Sequence, residues 1–207
     1  MLQLLIFAAL AAFVLFRLYT VLGRRVGRQA PPPVPGRPTP ADVVDAAPVD
    51  GPRPAFTGPG APGMEAIRRA DGSFTPESFL DGARSAYEMI VQAFAEGDRD
   101  TLRRFLAPSV YEKYETAIAD RETRGLTQTT DIVRLSSVKI EDAELDGRIA
   151  RVKVAFDADL NTMLRNAEGA LVEGDPSRTR AAHEVWTFER DVKARDPNWT
   201  LAKVSRT

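Results

Sequence analysis

The 207 residues carry 28 basic and 29 acidic side chains, one histidine and a net charge of -1, so bulk attraction to phosphate backbones is excluded and no nucleic-acid partner is expected. There is no cysteine, which excludes disulfides, zinc–thiolate sites and thiol nucleophiles. The charge is unevenly spread: residues 1–30 hold four arginines and no acid, whereas residues 71–207 hold 20 basic against 25 acidic side chains.

Leu2 to Phe16 contains a single strongly polar residue, Gln3, and with Leu18 to Leu22 added the segment would span roughly 30 Å as a helix. That length crosses a bilayer. Arg17 lies near the end of the run, where a guanidinium can snorkel to the interface beside Tyr19. A cleaved signal peptide would place positive charge before the apolar run, but Arg17, Arg24, Arg25 and Arg28 all follow it. Residues 1–28 therefore read as an uncleaved single-pass anchor whose partner is the lipid bilayer. By the positive-inside rule the remainder is expected on the cytoplasmic side of a bacterial inner membrane.

Residues 29–63 form a linker: from Pro31 to Gly63 there are eleven prolines and five glycines, a composition that supports neither helix nor strand ladders. The folded domain is expected over residues 64–207. Met64 to Ala70 reads as a short helix with Met64 and Ile67 on one side. The central helix follows from Phe74 to Gly97, with Phe79, Ala83, Ala86, Ile90 and Phe94 at spacings of three or four, and with Leu80, Tyr87 and Val91 widening the stripe. Thr75 can cap it, Pro76 suits its first position and Gly97 stops it. Asp100 is expected to cap a short helix from Thr101 to Leu106. Pro108 opens a further helix to Arg124, with Val110, Tyr111, Tyr114, Ala117 and Ile118 inward and Arg121 among the solvated charges.

Beyond Gly125 the period changes to two. Val133 and Leu135 share one parity and Val138 and Ile140 the other, so a bulge is expected at Ser136-Ser137. Asp146-Gly147 marks a hairpin, after which Ala150, Val152, Val154, Phe156 and Ala158 alternate with charged residues. Leu160 to Glu173 is less regular. A long strand is expected from Arg178 to Val192, with Trp186 and Phe188 on one face, and a last one from Trp199 to Val204 after the Asp196-Pro197-Asn198 turn. Helices followed by a bent antiparallel sheet define an α+β fold with the sheet wrapped around the central helix.

The order of elements, with AFAEGDRDTLRRFLAPSVY between helices, resembles the nuclear transport factor 2-like cone. The segments Phe79–Gly125 and Val185–Leu201, with the WTFERD and DPNW motifs, resemble the C-terminal domain of mitochondrial import inner membrane translocase subunit 44, in its membrane-anchored bacterial form. The resemblance covers roughly Met64 to Val204. It implies a non-catalytic adaptor with no cofactor, whose partner is translocation machinery or a chaperone. In mitochondria this family tethers an ATP-driven heat-shock chaperone to an inner-membrane channel through a long N-terminal region, where this chain has an anchor and spacer. The fold so implied has a pocket in the concave face of the sheet, with Tyr87, Val91, Phe94, Tyr111, Phe156, Trp186 and Phe188 as its candidate lining.

The alternative is a small-molecule-binding or isomerase/dehydratase-type enzyme of the same cone class. It requires a base in a polar cavity. His183 and Glu184 are adjacent in a strand and face opposite sides, and Asp157 and Asp159 share a face with Arg151 and Lys153, as a solvated surface would. The sequence shows no phosphate loop, nucleophile motif or metal-ligand cluster, so no catalytic or metal residue is assigned. Two buried carboxylates, or tyrosine–carboxylate pairs converging in a deep cleft, would favour the enzyme; a smooth apolar pocket would favour the adaptor.

Overall fold

The computed structural model describes residues 55–206, so the apolar run at residues 2–22 and most of the Pro-rich stretch lie outside the described residues. None of the described helices is long and apolar enough to cross a membrane. Four helices come first, α1 (Ala61–Ala70), α2 (Pro76–Glu96), α3 (Arg99–Phe105) and α4 (Pro108–Thr123). Five strands follow: β1 (Thr127–Asp146), β2 (Ile149–Arg165), β3 (Leu171–Glu173), β4 (Arg180–Asp191) and β5 (Thr200–Arg206). They form one antiparallel sheet in the order β1-β2-β4-β5, with β3 paired to β2. This is the expected α+β arrangement.

The ends of α2 follow from its capping chemistry. Thr75 accepts a hydrogen bond from the Ser78 N–H at 3.2 Å, Pro76 occupies the first turn, and Gly97 takes the left-handed conformation at φ 75°. The buried face of α2, including Phe79, Ala83, Tyr87 and Ile90, lies on Ala150, Val152, Val154, Phe156 and Ala158 of β2. The strict alternation along β2 is thus a buried face, worth about 1.5–3 kcal/mol for each large apolar side chain removed from water.

Several boundaries differ from the sequence expectation. Helix α1 begins at Ala61 and Phe56 packs edge-on against Phe74, so ordered structure starts inside the stretch read as linker. The reason is backbone proximity. A Cβ on Gly63 would lie 1.7 Å from the Ala143 carbonyl oxygen, so glycine here lets α1 press directly on β1, and Gly60 and Gly63 at the end of that stretch serve packing. The cap of α3 is Asp98 and not Asp100, since Asp98 accepts from the N–H groups of Asp100 and Thr101.

In α4, Ala117 is exposed and Arg121 is buried, the reverse of the expectation. Arg121 donates to the Phe94 and Ala95 carbonyls, both at 3.0 Å, and to Gln128 Oε1 at 2.8 Å. It therefore satisfies the last carbonyls of α2, where a cation is also favoured by the helix dipole. In β1 the bulge at Ser136 is present, and register shifts at Val133 and Glu141 accompany it. Val133 is turned out, 59 % exposed, and Ile132 faces inward in its place. β2 continues to Arg165 through the region read as irregular, and a two-residue loop at Gly147-Arg148 joins it to β1.

Candidate functional site

The two sequence motifs meet at one corner of the domain. Arg190, from WTFERD, pairs with Asp71 in the α1–α2 connection, lies over the Trp199 ring at 5.1 Å and donates to the Pro197 carbonyl at 3.3 Å. One guanidinium thus ties the end of β4 and the turn after it to the α1–α2 connection, 119 residues earlier. The Ser73 hydroxyl donates to Asp71 at 2.6 Å and, with Arg190 beside it, holds the Asp71 carboxyl below the usual carboxylate range against the opposing effect of burial. Trp199 packs edge-on against Phe79 at 4.8 Å and tilts against Phe74 at 6.1 Å.

This latch forms one wall of a cleft of about 490 Å³ that runs along α2. Its floor is Ser78, Gly82, Ser85 and Ala86, and Phe74, Phe105, Phe188 and Met89 complete an apolar lining. Gly82 is helical, and a Cβ there would meet nothing within 4 Å. Glycine within a helix costs about 1 kcal/mol relative to alanine, and no contact inside the described domain requires it at this position. The volume suits a few apolar side chains or a small ligand.

Behind the cleft lies an aromatic layer. Tyr87 stacks on Phe156 at 4.7 Å and meets Trp186 at 4.8 Å, while Phe156 and Trp186 are 5.3 Å apart. The Trp186 indole N–H donates to Glu184 Oε2 at 3.1 Å. Burial, followed by the Glu184 charge, pushes the Tyr87 phenol well above its usual range and the Tyr114 phenol up to about 12. Glu184 also reaches a second cleft, of about 710 Å³, bordered by Leu160, Arg180 and Arg206. This is a tyrosine–carboxylate neighbourhood built on one carboxylate, whose Oε2 is engaged by the indole.

Of the seven residues proposed for the pocket, Tyr87, Phe156, Trp186 and Phe188 come together in the core, and Phe188 also borders the apolar cleft. Phe94 packs edge-on against Tyr114 at 4.9 Å beneath Arg121, and Val91 is half-buried against the core. Tyr111 stands apart at the α3–α4 junction, where Arg103 donates to its hydroxyl at 2.9 Å. Asp71, Phe74, Gly82, Met89 and Phe105 join the cleft without having been expected at a pocket. Ser78, Gly82 and Ser85 do fall at spacings of four and three, which marks a small-residue face beside the buried stripe.

The outer face of the sheet holds the remaining candidates. His183 and Asp157 meet across β4 and β2 at 2.7 Å, and Asp159 accepts from Arg134 at 2.8 Å. Asp157 and Asp159 are each matched to a different basic group. Lys153 donates to Asp142 at 2.9 Å, which holds the Asp142 carboxyl below its ordinary value. This face is an exposed lattice of ion pairs.

Fold and site define a helix-covered antiparallel-sheet domain with a latched apolar cleft. The family model described as the Tim44-like domain matches residues 61–206, and the chain belongs to that family. It is 25 % identical over 142 residues to the human mitochondrial import inner membrane translocase subunit TIM44, covering 67 % of this chain and 31 % of that protein. A TIM44-1 subunit from Arabidopsis thaliana is 22 % identical over 146 residues, covering 68 % of this chain and 31 % of its own length. The chain thus spans about a third of the length of these relatives.

Among solved structures, the intermembrane space region of the chloroplast protein ARC6 aligns with a TM-score of 0.45 and 12 % identity, over 64 % of this chain and 96 % of that one. A putative dehydratase of the NTF2-like family from Streptomyces avermitilis aligns with a TM-score of 0.35 and 16 % identity, over 64 % and 99 %.

Proposed function

We propose that the chain is a membrane-anchored, non-catalytic adaptor of a bacterial inner membrane, which holds a partner of protein translocation or membrane-protein assembly through the apolar cleft between α2 and Trp199. The cleft carries this reading. Its lining is apolar, its floor is a bare helix face, and its one strongly charged pair, Asp71 with Arg190, is used to brace the wall. The relatives' names speak of import at an inner membrane, and the apolar run before Arg17 supplies an attachment to such a membrane.

Two variants test the assignment. Gly82→Trp, at a position where an added Cβ meets nothing within 4 Å, should block the cleft and abolish function with the fold intact, and Glu184→Gln should leave function unchanged. The reverse outcome favours a second reading, a small-molecule site or isomerase-type enzyme centred on Glu184, for which the 710 Å³ cleft that Glu184 borders is the supporting observation. Extraction of membranes at alkaline pH tests the anchor: the full chain should stay in the pellet, and a chain lacking residues 1–27 should leave it.

A further inference from the structure

β1 is an edge strand, and one flank of α2 beside it is uncovered among the described residues. A groove of about 730 Å³ runs between them, with Glu88, Met89, Gln92 and Glu96 on the helix side and Asp131 and Val133 on the strand side. Two of the four exposed large hydrophobic residues among those described, Met89 at 41 % and Val133 at 59 %, stand here. Val133 is exposed because the register shift between Ile132 and Arg134 turns it outward. An edge strand broken by a bulge is protected from open-ended pairing, so the bulge alone is unremarkable; an exposed valine opposite an exposed methionine across a groove is a different matter.

The charge around these two side chains is predominantly negative. Glu88, Glu96 and Asp131 are exposed and form no ion pair among the described residues; the Glu96 carboxylate accepts only from the Gln92 amide, at 2.6 Å. Asp98, at the end of the groove, caps α3. The one cation in the lining, Arg134, is drawn to Asp159 at 2.8 Å. Such a rim repels anionic lipid and nucleic acid. It also gathers no group of three acidic or imidazole side chains able to hold a metal ion among the described residues.

We propose that this groove docks a basic, apolar-bearing segment of a partner protein, its cations facing Glu88, Glu96 and Asp131 and its apolar side chains covering Met89 and Val133. This is a second surface, which adjoins the cleft at Trp199 through Met89 and is otherwise lined by different residues, and it is argued independently of the adaptor assignment. Charge complementarity would govern capture and the two apolar contacts would hold the segment in register.

The test uses the full chain and labelled peptides read by fluorescence anisotropy. A peptide alternating lysine and leucine should bind, a glutamate–leucine peptide should not, and a lysine–serine peptide should bind about tenfold more weakly than the first. Glu88→Lys with Asp131→Lys should weaken the lysine–leucine peptide about tenfold and Val133→Ser several-fold, with melting temperatures unchanged because all three positions are exposed. Equal affinity of the double variant and the wild type would overturn the proposal, as would a lysine–serine peptide that binds as tightly as the lysine–leucine one.

Discussion

Replacing Trp186 by alanine removes the side chain on which the sheet and α2 converge. The indole is 1 % exposed and has Tyr87 at 4.8 Å, Phe156 at 5.3 Å and Phe188 at 6.2 Å between ring centroids. Truncating a buried aromatic of this size costs about 3–5 kcal/mol, the lost transfer energy being joined by a cavity that rigid neighbouring rings cannot fill. Glu184 also loses its indole donor, so the upper part of the range applies. With a urea dependence of about 2 kcal/mol per molar, the denaturation midpoint should fall by about 2 M, and the melting temperature by roughly 10 °C. Far-UV circular dichroism is the suitable probe, since the substitution removes a fluorophore. Trp186→Phe, which keeps a ring in the layer, should lose only about 1.5 kcal/mol. A midpoint for Trp186→Ala equal to that of the wild type would refute the packing argument and leave Trp186 available for contact with a partner.

Gly63→Ala should destabilise by about 3 kcal/mol or more in urea titration, because the new methyl meets the fixed Ala143 carbonyl and no side chain can yield. Gly82→Ala should do the opposite and raise stability by about 1 kcal/mol, read as a gain of a few degrees in melting temperature. The depressed Asp71 carboxyl makes a stability contribution that is complete above its ordinary value of 3.8 and is lost as pH falls through the lower folded value. Asp71→Asn should therefore be less stable at neutral pH and show a shallower loss on acidification below about pH 4, measured by thermal melts across the acid range.

The central helix, the alternation of β2 and the shared face of Trp186 and Phe188 were legible because each repeats one spacing over several turns or pairs, and its ends carry capping or turn residues. The family resemblance was legible from the same segments that build the latch, Trp186 to Trp199. Arg121 was misplaced because a charged residue on the apolar stripe looks like surface until the carbonyls it meets, those of Phe94 and Ala95, are in view. Those carbonyls lie more than two dozen residues earlier in the chain. β1 was only partly legible, since three register shifts move its inward set from Ile132 to Leu135, Val138, Ile140 and Ala143, and no single parity describes it. The cleft was missed for a similar reason. Its walls come from α2, α3 and the turn before β5, which are distant in the chain, and the small residues of its floor sit beside a stronger apolar stripe on the same helix.

The adaptor assignment is tested most directly by photocrosslinking from the cleft floor in native membranes. A benzophenone side chain at Ser85, which is exposed and borders the cleft, should yield a discrete adduct with a membrane-embedded component of translocation or membrane-protein assembly. The adduct should disappear in Gly82→Trp and persist in Glu184→Gln. An adduct that survives Gly82→Trp unchanged, or no protein adduct from Ser85 while function is intact, would contradict the account.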